Sequence, residues 1–464
     1  ASHQVSIDMP PARSVCLLAA TIAALCPTGC SPGLDEGAQK PSSAMLLDAS
    51  EADQLEVTLP EEADGWPRWR GVRCDGISTE TAWTTTWPDE GPRRCWQAKV
   101  GTGFSSMAVT SGRLYTMGHS APPDDTSDAS APADERDTVW CLDAETGAER
   151  WHYSYQCKRV AHLHEGGPAA TPTVATGRVY TLSKEGHFLC LNAETGKLLW
   201  QNNVAEVLGI AMPEWGFSSS PLALGDLVVV EAGRLAAFEA TTGKLVWQTA
   251  KHAPGYGSPV PFPIEGGLAV ATLNNESLLI ADALHGKILA TSPWKTSHET
   301  SSTTPIVAGD TLFISTGYNR GCELLRFDGQ ALQVVYENKN MRNHMNTCVL
   351  WNGHLFGFDG NSSSRRNVTL NCIEHATGKK KWKRRGLGCG SLMLADGKLI
   401  ILSDEGRLVV AEASPDAYTS IAEADILEGK CWTVPVLADG RLYARNAAGD
   451  LVCVDLRPPT QSRN

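Results

Sequence analysis

Short apolar runs recur along most of this chain, and small polar residues with glycine separate them. Within the runs, Val, Leu, Ile and Tyr alternate with other residues, as they do in β-strands. The runs are paired around tight turns, first at residues 111–115 (SGRLY) and again at 176–180 (TGRVY). Similar turns follow at residues 225–229, 266–270, 309–313, 352–356, 396–400 and 439–443. Glycine supplies the positive φ that such turns need, so the pattern predicts eight β-hairpins.

A second kind of turn follows six of the hairpins and carries a glycine, with a tryptophan four residues later in the clearest copies. The clear copies are residues 143–151, 192–200, 239–247 and 374–382, and degenerate copies lie at 282–290 and near Asp328. Successive glycines of this turn are 43 to 49 residues apart. That period is the length of one four-stranded propeller blade. The sequence therefore predicts an all-β, eight-bladed propeller of four-stranded antiparallel blades.

The two ends of the repeat region complement each other. The eighth unit begins at Cys431 and ends at Leu456 without an outer strand. Residues 94–100 have the character of that strand and carry a tryptophan, Trp96, at the matching place. We expect this N-terminal strand to complete the last blade, because closing the ring removes exposed sheet edges.

The N-terminal residues have the pattern of an export signal. Arg13 precedes an apolar run that ends at Cys26, and small residues follow it up to Cys30. Gly29 and Cys30 are similar to the lipobox of bacterial lipoproteins, which makes Cys30 the predicted lipidation site. The predicted organisation is a leader (1–30), an acidic flexible tether (31–64), an N-terminal arm (65–91), the propeller (92–456) and a tail (457–464).

Charge and hydropathy restrict the partners. The net charge of −12 would repel phosphate backbones, so nucleic acid is excluded as a partner. No apolar stretch is long enough for a transmembrane helix, so membrane attachment would use only a lipid at Cys30. The cysteines form no CxxC motif and no adjacent pair. Cys74 and Cys95 are candidates for a disulfide in an oxidising compartment. Four cysteines recur at one position of the repeat and read as buried residues: Cys141, Cys190, Cys372 and Cys453.

The turns with the pattern Asp-Ala-Glu-Thr-Gly-x-x-x-Trp resemble the repeat of the PQQ-type propellers, the quinoprotein alcohol dehydrogenase-like family. The resemblance covers residues 92–456, and the preceding segment at 66–71 (WPRWRG) is similar to that of exported bacterial PQQ-repeat proteins without an assigned activity. The family also includes a lipoprotein subunit of the outer-membrane β-barrel assembly machine. The resemblance implies the eight-bladed fold and export to the periplasm or outer membrane of a Gram-negative-type bacterium.

The resemblance also implies that the tryptophans of these turns are structural. Each would pack between neighbouring blades while its N–H finds an acceptor. The expected blade-docking residues are Trp96, Trp151, Trp200, Trp247 and Trp382.

Signatures of catalysis are missing from the sequence. It has no GxSxG, HExxH or P-loop motif. Quinoprotein alcohol dehydrogenases need Ca²⁺ held by Glu, Asn and Asp oxygens, and they commonly have a pair of adjacent cysteines against PQQ, which this chain lacks. His162 and His164 have no matched third ligand, so we predict no metal site.

The loops that enter the innermost strands of a propeller crowd one mouth of its channel. In this chain these loops carry polar and aromatic residues that would form a pocket or, alternatively, plug and hydrate the channel. The candidate ligand-binding residues are Glu214, Trp215, Tyr256, His298, Arg342, His344, Asn346 and Trp432.

These observations favour a monomeric, exported propeller that acts as a binding scaffold for an envelope protein, a peptide or a small ligand, without a cofactor. Two alternatives stay open, and no catalytic residue is assigned in either. The first is a periplasmic dehydrogenase that uses PQQ with Ca²⁺. The second is a polysaccharide-binding propeller with Trp215, Tyr256 and Trp432 as stacking platforms.

Overall fold

The strands of this chain form eight sheets around a common axis. The structure, a computed structural model, describes residues 46–47, 49–52, 54–59, 64–120, 135–162 and 164–459. Each sheet holds four antiparallel strands, in simple sequence order in seven of the eight, and one sheet has an added fifth strand. The innermost strands of several neighbouring sheets contact one another. The predicted eight-bladed β-propeller is therefore confirmed.

Strands are numbered along the chain, beginning with β1 (Ile77–Ser78) and β2 (Arg94–Lys99), which precede the first complete blade. From the axis outwards, blade 1 contains β3 (Ala108–Thr110), β4 (Arg113–Ser120), β5 (Arg136–Asp143) and β6 (Glu149–Gln156), and blade 2 contains β7 (Thr173–Ala175), β8 (Arg178–Leu182), β9 (His187–Asn192) and β10 (Leu198–Asn203). Blade 3 contains β11 (Leu222–Leu224), β12 (Leu227–Glu231), β13 (Leu235–Glu239) and β14 (Leu245–Gln248). Blade 4 contains β15 (Val260–Ile264), β16 (Gly267–Leu273), β17 (Ser277–Asp282) and β18 (Ile288–Pro293).

Blade 5 contains β19 (Ile306–Ala308), β20 (Thr311–Thr316), β21 (Gly321–Phe327) and β22 (Leu332–Asn338). Blade 6 contains β23 (Val349–Trp351), β24 (His354–Asp359), β25 (Thr369–Glu374) and β26 (Lys380–Arg384). Blade 7 contains β27 (Ser391–Ala395), β28 (Lys398–Leu402), β29 (Arg407–Glu412) and β30 (Ser420–Asp425). Blade 8 contains β31 (Val436–Ala438), β32 (Arg441–Arg445) and β33 (Asp450–Asp455). The helical segments are α1 (Ala49–Ala52), α2 (Val204–Leu208) and a 3₁₀ turn (Ser362–Asn367). Within the described residues, none of the helices has the length and apolar character needed to cross a membrane.

The ring closes as predicted. β2 is the outermost strand of blade 8 and pairs antiparallel with β33, the last strand of the chain, with Trp96 opposite Cys453. The exposed pairs Lys99–Asp450 (2.6 Å) and Arg93–Asp455 (2.5 Å) lie at the two ends of this contact. The first and last strands of the propeller therefore meet in one sheet, and blade 8 has four strands like the other blades.

A tryptophan of one blade packs on the turn glycine of the next. Trp200 of blade 2 is only 9% exposed, and its Nε1 donates to the carbonyl of Ala240 in blade 3 (3.1 Å). Gly243 has a φ of +72°, and a Cβ there would lie 2.6 Å from the Trp200 ring, so only glycine fits. The same hydrogen bond, at 3.1 Å, is made by Trp96, Trp151 and Trp247.

Blades 5 and 6 make this contact with variations. In blade 5, Tyr336 takes the place of the tryptophan: its ring lies against Gly378, and its hydroxyl donates to the carbonyl of His375 (2.9 Å). In blade 6, Trp382 is half-buried and donates to the carbonyl of Ser414 (2.8 Å). The blade-to-blade contact therefore tolerates a change of aromatic residue.

The arm before β2 crosses the channel. Trp66 forms an antiparallel bridge with the innermost strand of blade 1, and the carbonyl of Pro67 accepts from the innermost strand of blade 2 (2.8 Å). Trp69 Nε1 donates to Thr304 Oγ1 at the entrance to blade 5 (3.0 Å). The chain therefore reaches from one side of the ring to the other within a few residues.

The arm then continues to the remaining blades. The buried guanidinium of Arg70 donates to the carbonyls of Cys74 (3.2 Å) and Asp75 (2.7 Å) in the arm and of Cys348 (2.9 Å) in blade 6. β1 pairs in parallel with β27 of blade 7. The carboxylate of Glu80 accepts from two backbone amides of blade 8 (2.5 and 2.8 Å). The arm thus bonds to six blades, which fixes it across the ring.

The structure differs from three expectations drawn from the sequence. Cys74 and Cys95 are free thiols on separate elements, the arm and β2, so the candidate disulfide between them is absent. The stretch from His119 to Asp137 is rich in Pro, Ser, Asp and Ala, a composition that predicts a solvated loop. Its first and last residues are instead buried and paired at 2.8 Å on β4 and β5. Within the expected tether, the amide of Leu47 donates to the carbonyl of Leu245 in blade 3 (2.9 Å). The predicted lipidation site, Cys30, lies outside the described residues.

Candidate ligand-binding site at the channel mouth

A cavity of about 470 Å³ occupies one mouth of the channel. The loops that enter the innermost strands supply most of its wall, and the arm contributes Trp69. Pro67 and Arg68, which precede Trp69, line a separate cavity on the opposite, hairpin side of the ring. The arm therefore forms the base of the mouth cavity. The large side chains in its wall are Trp69, Phe104, His164, Lys184, Trp215, Tyr256, Tyr318, His344, Met345, Asn346 and Trp432.

One side of the cavity is a continuous row of aromatic rings from blade 8 to blade 3. Phe104 stacks on Trp432 with ring centres 5.6 Å apart, and the edge of Phe104 faces His164 at 5.3 Å. His164 in turn stacks on Trp215 at 5.4 Å. Aromatic contacts of this geometry are favourable, so the row is a preformed wall.

Tyr318 organises the other side. It lies in the turn between β20 and β21 and has a φ of +51°. Its ring stacks on His298 (4.4 Å) and meets His344 edge-on (5.0 Å). The Nδ1 atom of His344 accepts from the amide of Ser362 in the 3₁₀ turn (3.3 Å). Serine and threonine hydroxyls complete the wall between these rings.

The cavity carries little charge. Burial lowers the pKa of His344 to about 4, and burial followed by the charge of Lys184 lowers the pKa of His164 to about 4. Both imidazoles are therefore neutral at pH 7. Burial also lowers the pKa of Lys184 to about 8, and its Nζ donates to the carbonyl of Trp215 (2.8 Å). No Asp or Glu side chain is among the described residues that line the cavity.

Five of the eight candidate residues lie in the cavity wall: Trp215, Tyr256, His344, Asn346 and Trp432. The other three are not among the described lining residues. Glu214 is exposed on the rim beside His162 (3.2 Å). His298 is exposed and reaches the cavity only through Tyr318. Arg342 forms a two-point ion pair with the buried carboxylate of Asp359 (2.7 and 2.9 Å).

Six large side chains of the wall are not among the eight candidates: Trp69, Phe104, His164, Lys184, Tyr318 and Met345. Lys184 and Tyr318 lie in turns between the second and third strands of their blades. Because these turns open on the same face as the entering loops, counting strand directions would have found them. Trp69 had no such signal, since its place depends on the path of the arm.

Comparison with known proteins gives the family. A family model described as "Outer membrane protein assembly factor BamB" matches residues 75–333 and 135–384, which together span more than half of the chain. The chain belongs to this BamB family. The BamB protein of Moranella endobia (strain PCIT) is 22% identical over 303 residues, which cover 61% of this chain and 74% of that protein.

Solved structures share the BamB-family fold. BamB from Moraxella catarrhalis superposes with a TM-score of 0.56 at 15% identity, covering 79% of this chain and 100% of that chain. The quinohemoprotein alcohol dehydrogenase from Comamonas testosteroni gives a TM-score of 0.62 at 13% identity, covering 91% and 84%. At these identities the likeness extends to the fold alone.

The dehydrogenase likeness makes PQQ with Ca²⁺ a group to test against the mouth of this BamB-family chain. Ca²⁺ takes roughly six to eight oxygen ligands, with carboxylates prominent among them. The described wall offers one side-chain amide, Asn346, whose Nδ2 donates to the carbonyl of Gly390 (2.8 Å), and no carboxylate. The one described lysine of the wall is already bonded to a carbonyl. The residues present therefore do not fit PQQ with Ca²⁺.

One set of metal-ligating side chains lies outside the cavity wall. Among the described residues, Cys157, Glu185 and His187 place their donor atoms within 4.8 Å of one another. Burial raises the pKa of the Cys157 thiol, and the charges of Asp137 and Glu185 add to the effect. The thiol is therefore protonated at neutral pH and would have to lose its proton to bind a cation.

Proposed function

We propose that this chain is an exported binding scaffold of the bacterial cell envelope that acts in outer membrane protein assembly, with the channel mouth as its ligand site. The observation that carries the proposal is the preformed aromatic cavity that the arm closes at its base. Such a cavity binds apolar and aromatic groups and orients them through a few hydroxyls, without a group that performs chemistry. Membership of the BamB family supports the assembly role.

The ligand that suits this cavity best is a segment of an envelope protein. A cavity of about 470 Å³ accommodates a few side chains, and the surrounding ring face supplies further contact area. Buried aromatic anchors in such a pocket are the usual source of binding energy at protein interfaces. Lys184 is the one basic side chain among the described wall residues, and its Nζ already donates to the carbonyl of Trp215. The rest of the wall favours an apolar segment, because a charged group would lose its hydration without gaining a partner.

The polysaccharide alternative receives less support. Sugar rings stack on exposed aromatic faces, but Trp432 is already stacked by Phe104, and the Nζ of Lys430 lies 4.6 Å from its ring centre. His164 likewise covers part of Trp215. The dehydrogenase alternative lacks the residues that its cofactor needs.

Site-specific photocrosslinking in the native host tests the site. A photoreactive phenylalanine analogue would replace Tyr256 in the mouth or, as the control, Val334, which is 53% exposed on the outer strand of blade 5. We expect a discrete protein adduct from position 256 and none from 334. An adduct only from 334 would place the binding surface on the outside of the ring and contradict the proposal.

A complementation assay tests the role. The variant carrying both Trp215→Ala and Trp432→Ala should accumulate to the normal amount yet fail to restore outer membrane protein levels in a strain lacking the gene. Calorimetric titration of the purified chain with PQQ and Ca²⁺ should give no saturable heat. Saturable binding together with reduction of an electron-acceptor dye would instead support the dehydrogenase.

A further inference from the structure

The two strands that close the ring carry facing cysteines. On β2, Cys95 directly precedes Trp96, and Trp96 lies opposite Cys453 of β33. The register skips one residue between Arg94 and Trp96, so Cys95 is the extra residue of a β-bulge and lies beside Cys453. The Cys95 thiol is near enough to help raise the pKa of the Cys453 thiol. A single S–S bond between these two cysteines would therefore join β2 to β33 covalently.

The other blades show that this pair is a special feature of the closure. Every blade has the same bulge between its last two strands. In blades 1 to 7, the pairs of extra residue and opposite residue are Arg150/Cys141, Leu199/Cys190, Val246/Ala237, Leu289/Ile280, Val335/Leu324, Lys381/Cys372 and Ile421/Val410. Among these described bulges, blade 8 alone has cysteine at both positions. It is also the blade whose paired strands come from opposite ends of the chain.

Exposure decides how the pair would react. Cys453 is fully buried, whereas Cys95 is partly exposed on the outer strand. Burial, followed by the neighbouring thiol, raises the pKa of Cys453. An external oxidant would therefore meet Cys95 first, and the reaction would be fastest while β2 docks and Cys453 is still accessible.

We propose that Cys95 and Cys453 form a disulfide that locks the ring once the chain reaches the oxidising cell envelope, an inference that rests on the export contained in the proposed function. The oxidant is a thiol–disulfide oxidoreductase in its disulfide form. Cys95 attacks that disulfide and forms a mixed disulfide, releasing one thiol of the oxidant. The thiolate of Cys453 then attacks the Cys95 sulfur and releases the second thiol. Two S–H bonds are oxidised to one S–S bond, and the oxidant accepts the two electrons and two protons.

The bond would change how the ring opens. Without it, β2 is held to β33 by the strand hydrogen bonds and by two ion pairs whose basic side chains are exposed, so the ion pairs contribute little. With it, the two terminal strands cannot separate, and the loop between residues 95 and 453 is closed in the unfolded state as well. Disulfides that close long loops constrain the unfolded chain most strongly.

Thiol counting on the full-length chain tests the bond. The purified protein is refolded in a glutathione redox buffer, denatured, labelled with a maleimide polymer and mapped by peptide mass spectrometry. We expect two fewer labelled thiols than in the reduced protein and a linked peptide pair containing Cys95 and Cys453. Cys95→Ser and Cys453→Ala should each abolish the link. Alanine suits position 453 because Ala237 holds the same register position in blade 3.

Cys190→Ala is the matched control, since Cys190 has the same register position but a leucine as its bulge neighbour. It should leave the link intact. Reductant should raise the urea unfolding equilibrium constant about tenfold or more in the unmodified chain but not in Cys95→Ser. Full labelling of every thiol after oxidation, or a link from Cys95 to Cys74, would overturn the proposal.

Thiol trapping in the host separates this inference from the binding role. A bond that forms in the purified chain but is reduced in cells would contradict the oxidising location on which the inference depends. The variant with Trp215→Ala and Trp432→Ala should still form the bond. Loss of ligand binding at the mouth therefore leaves the disulfide intact, and loss of the disulfide leaves the mouth residues in place.

Discussion

The contacts between blades and the mouth of the channel use aromatic residues in opposite ways. Between blades, Trp200 and its equivalents repeat one arrangement: a buried ring on a glycine turn and one N–H bond to the next blade. At the mouth, the large side chains change from blade to blade, and Trp215 and Trp432 are only partly buried. The repeated positions hold the ring together, whereas the varied positions leave aromatic surface available. Free aromatic surface around a cavity is what a binding site needs and what a stable interface avoids.

Replacing a blade-interface tryptophan gives the largest expected effect. Trp200→Ala removes a ring that is 91% buried against Gly243 and leaves a cavity between blades 2 and 3. We expect the free energy of unfolding to fall by about 3–5 kcal/mol. Urea denaturation followed by tryptophan fluorescence and circular dichroism measures the loss.

The repeat explains why the interfaces could be predicted and the mouth only in part. A tryptophan four residues after a turn glycine recurs in the clear copies of the repeat, so Trp151 and Trp200 could be located from spacing together with the family resemblance. Trp96 could be located because residues 94–100 match the outer strand that the eighth unit lacks. The mouth depends on tertiary relations that spacing does not contain. Trp69 reaches it only because Arg70 and Trp66 anchor the arm on blades 6 and 1. Arg342 lies in an entering loop but turns to Asp359, because an ion pair with a buried carboxylate outweighs exposure to the cavity.

The second-largest expected loss of stability tests whether the arm stabilises the ring, as the blade-interface tryptophans do, or only contributes to the mouth. Arg70→Met keeps an unbranched apolar stem but removes the donors to four backbone carbonyls, including that of Cys348 in blade 6. Buried carbonyls without a donor are costly, so we expect a loss of about 3 kcal/mol. Urea denaturation measures it, and limited proteolysis should show faster cleavage within the arm.

Arg73→Met is the control for this measurement. Arg73 pairs with Asp75 at the surface, where its side chain is 54% exposed, so the unfolding free energy should change by less than about 0.5 kcal/mol. Equal losses from the two variants would mean that the arm contributes through its charge and not through its bonds to blade 6.

The third effect comes from the mouth and depends on pH. The pKa of His344 is lowered by burial to about 4, whereas the unfolded imidazole titrates near its usual 6.5. Below pH 6.5 the unfolded chain therefore binds a proton that the folded chain does not, so stability is complete above that pH and falls towards pH 4. The expected contribution of His344 to this loss is about 2 kcal/mol between pH 7 and pH 5.

Urea denaturation at both pH values, repeated with His344→Gln, isolates this contribution. The variant should lose less stability than the unmodified chain over the same interval. His152→Gln, which replaces an exposed histidine on β6, should behave like the unmodified chain. If His344→Gln lost as much stability as the unmodified chain, another buried group would be the source of the acid sensitivity.

The smallest expected effect on stability belongs to Trp215→Ala, and it is the sharpest test of the comparison. The Trp215 ring lies against His164 at the mouth and is partly exposed, so its removal opens no cavity between blades. We expect the unfolding free energy to fall by less than about 1 kcal/mol, well below the loss from Trp200→Ala. Photocrosslinking from position 256 should nevertheless lose most of its yield, because the row of rings from Phe104 to Trp215 is interrupted. A loss of stability equal to that of Trp200→Ala would show that the aromatic side chains of the mouth stabilise the propeller as much as the blade-interface tryptophans do. Unchanged crosslinking would move the ligand towards the rings on the other side of the cavity, around Tyr318.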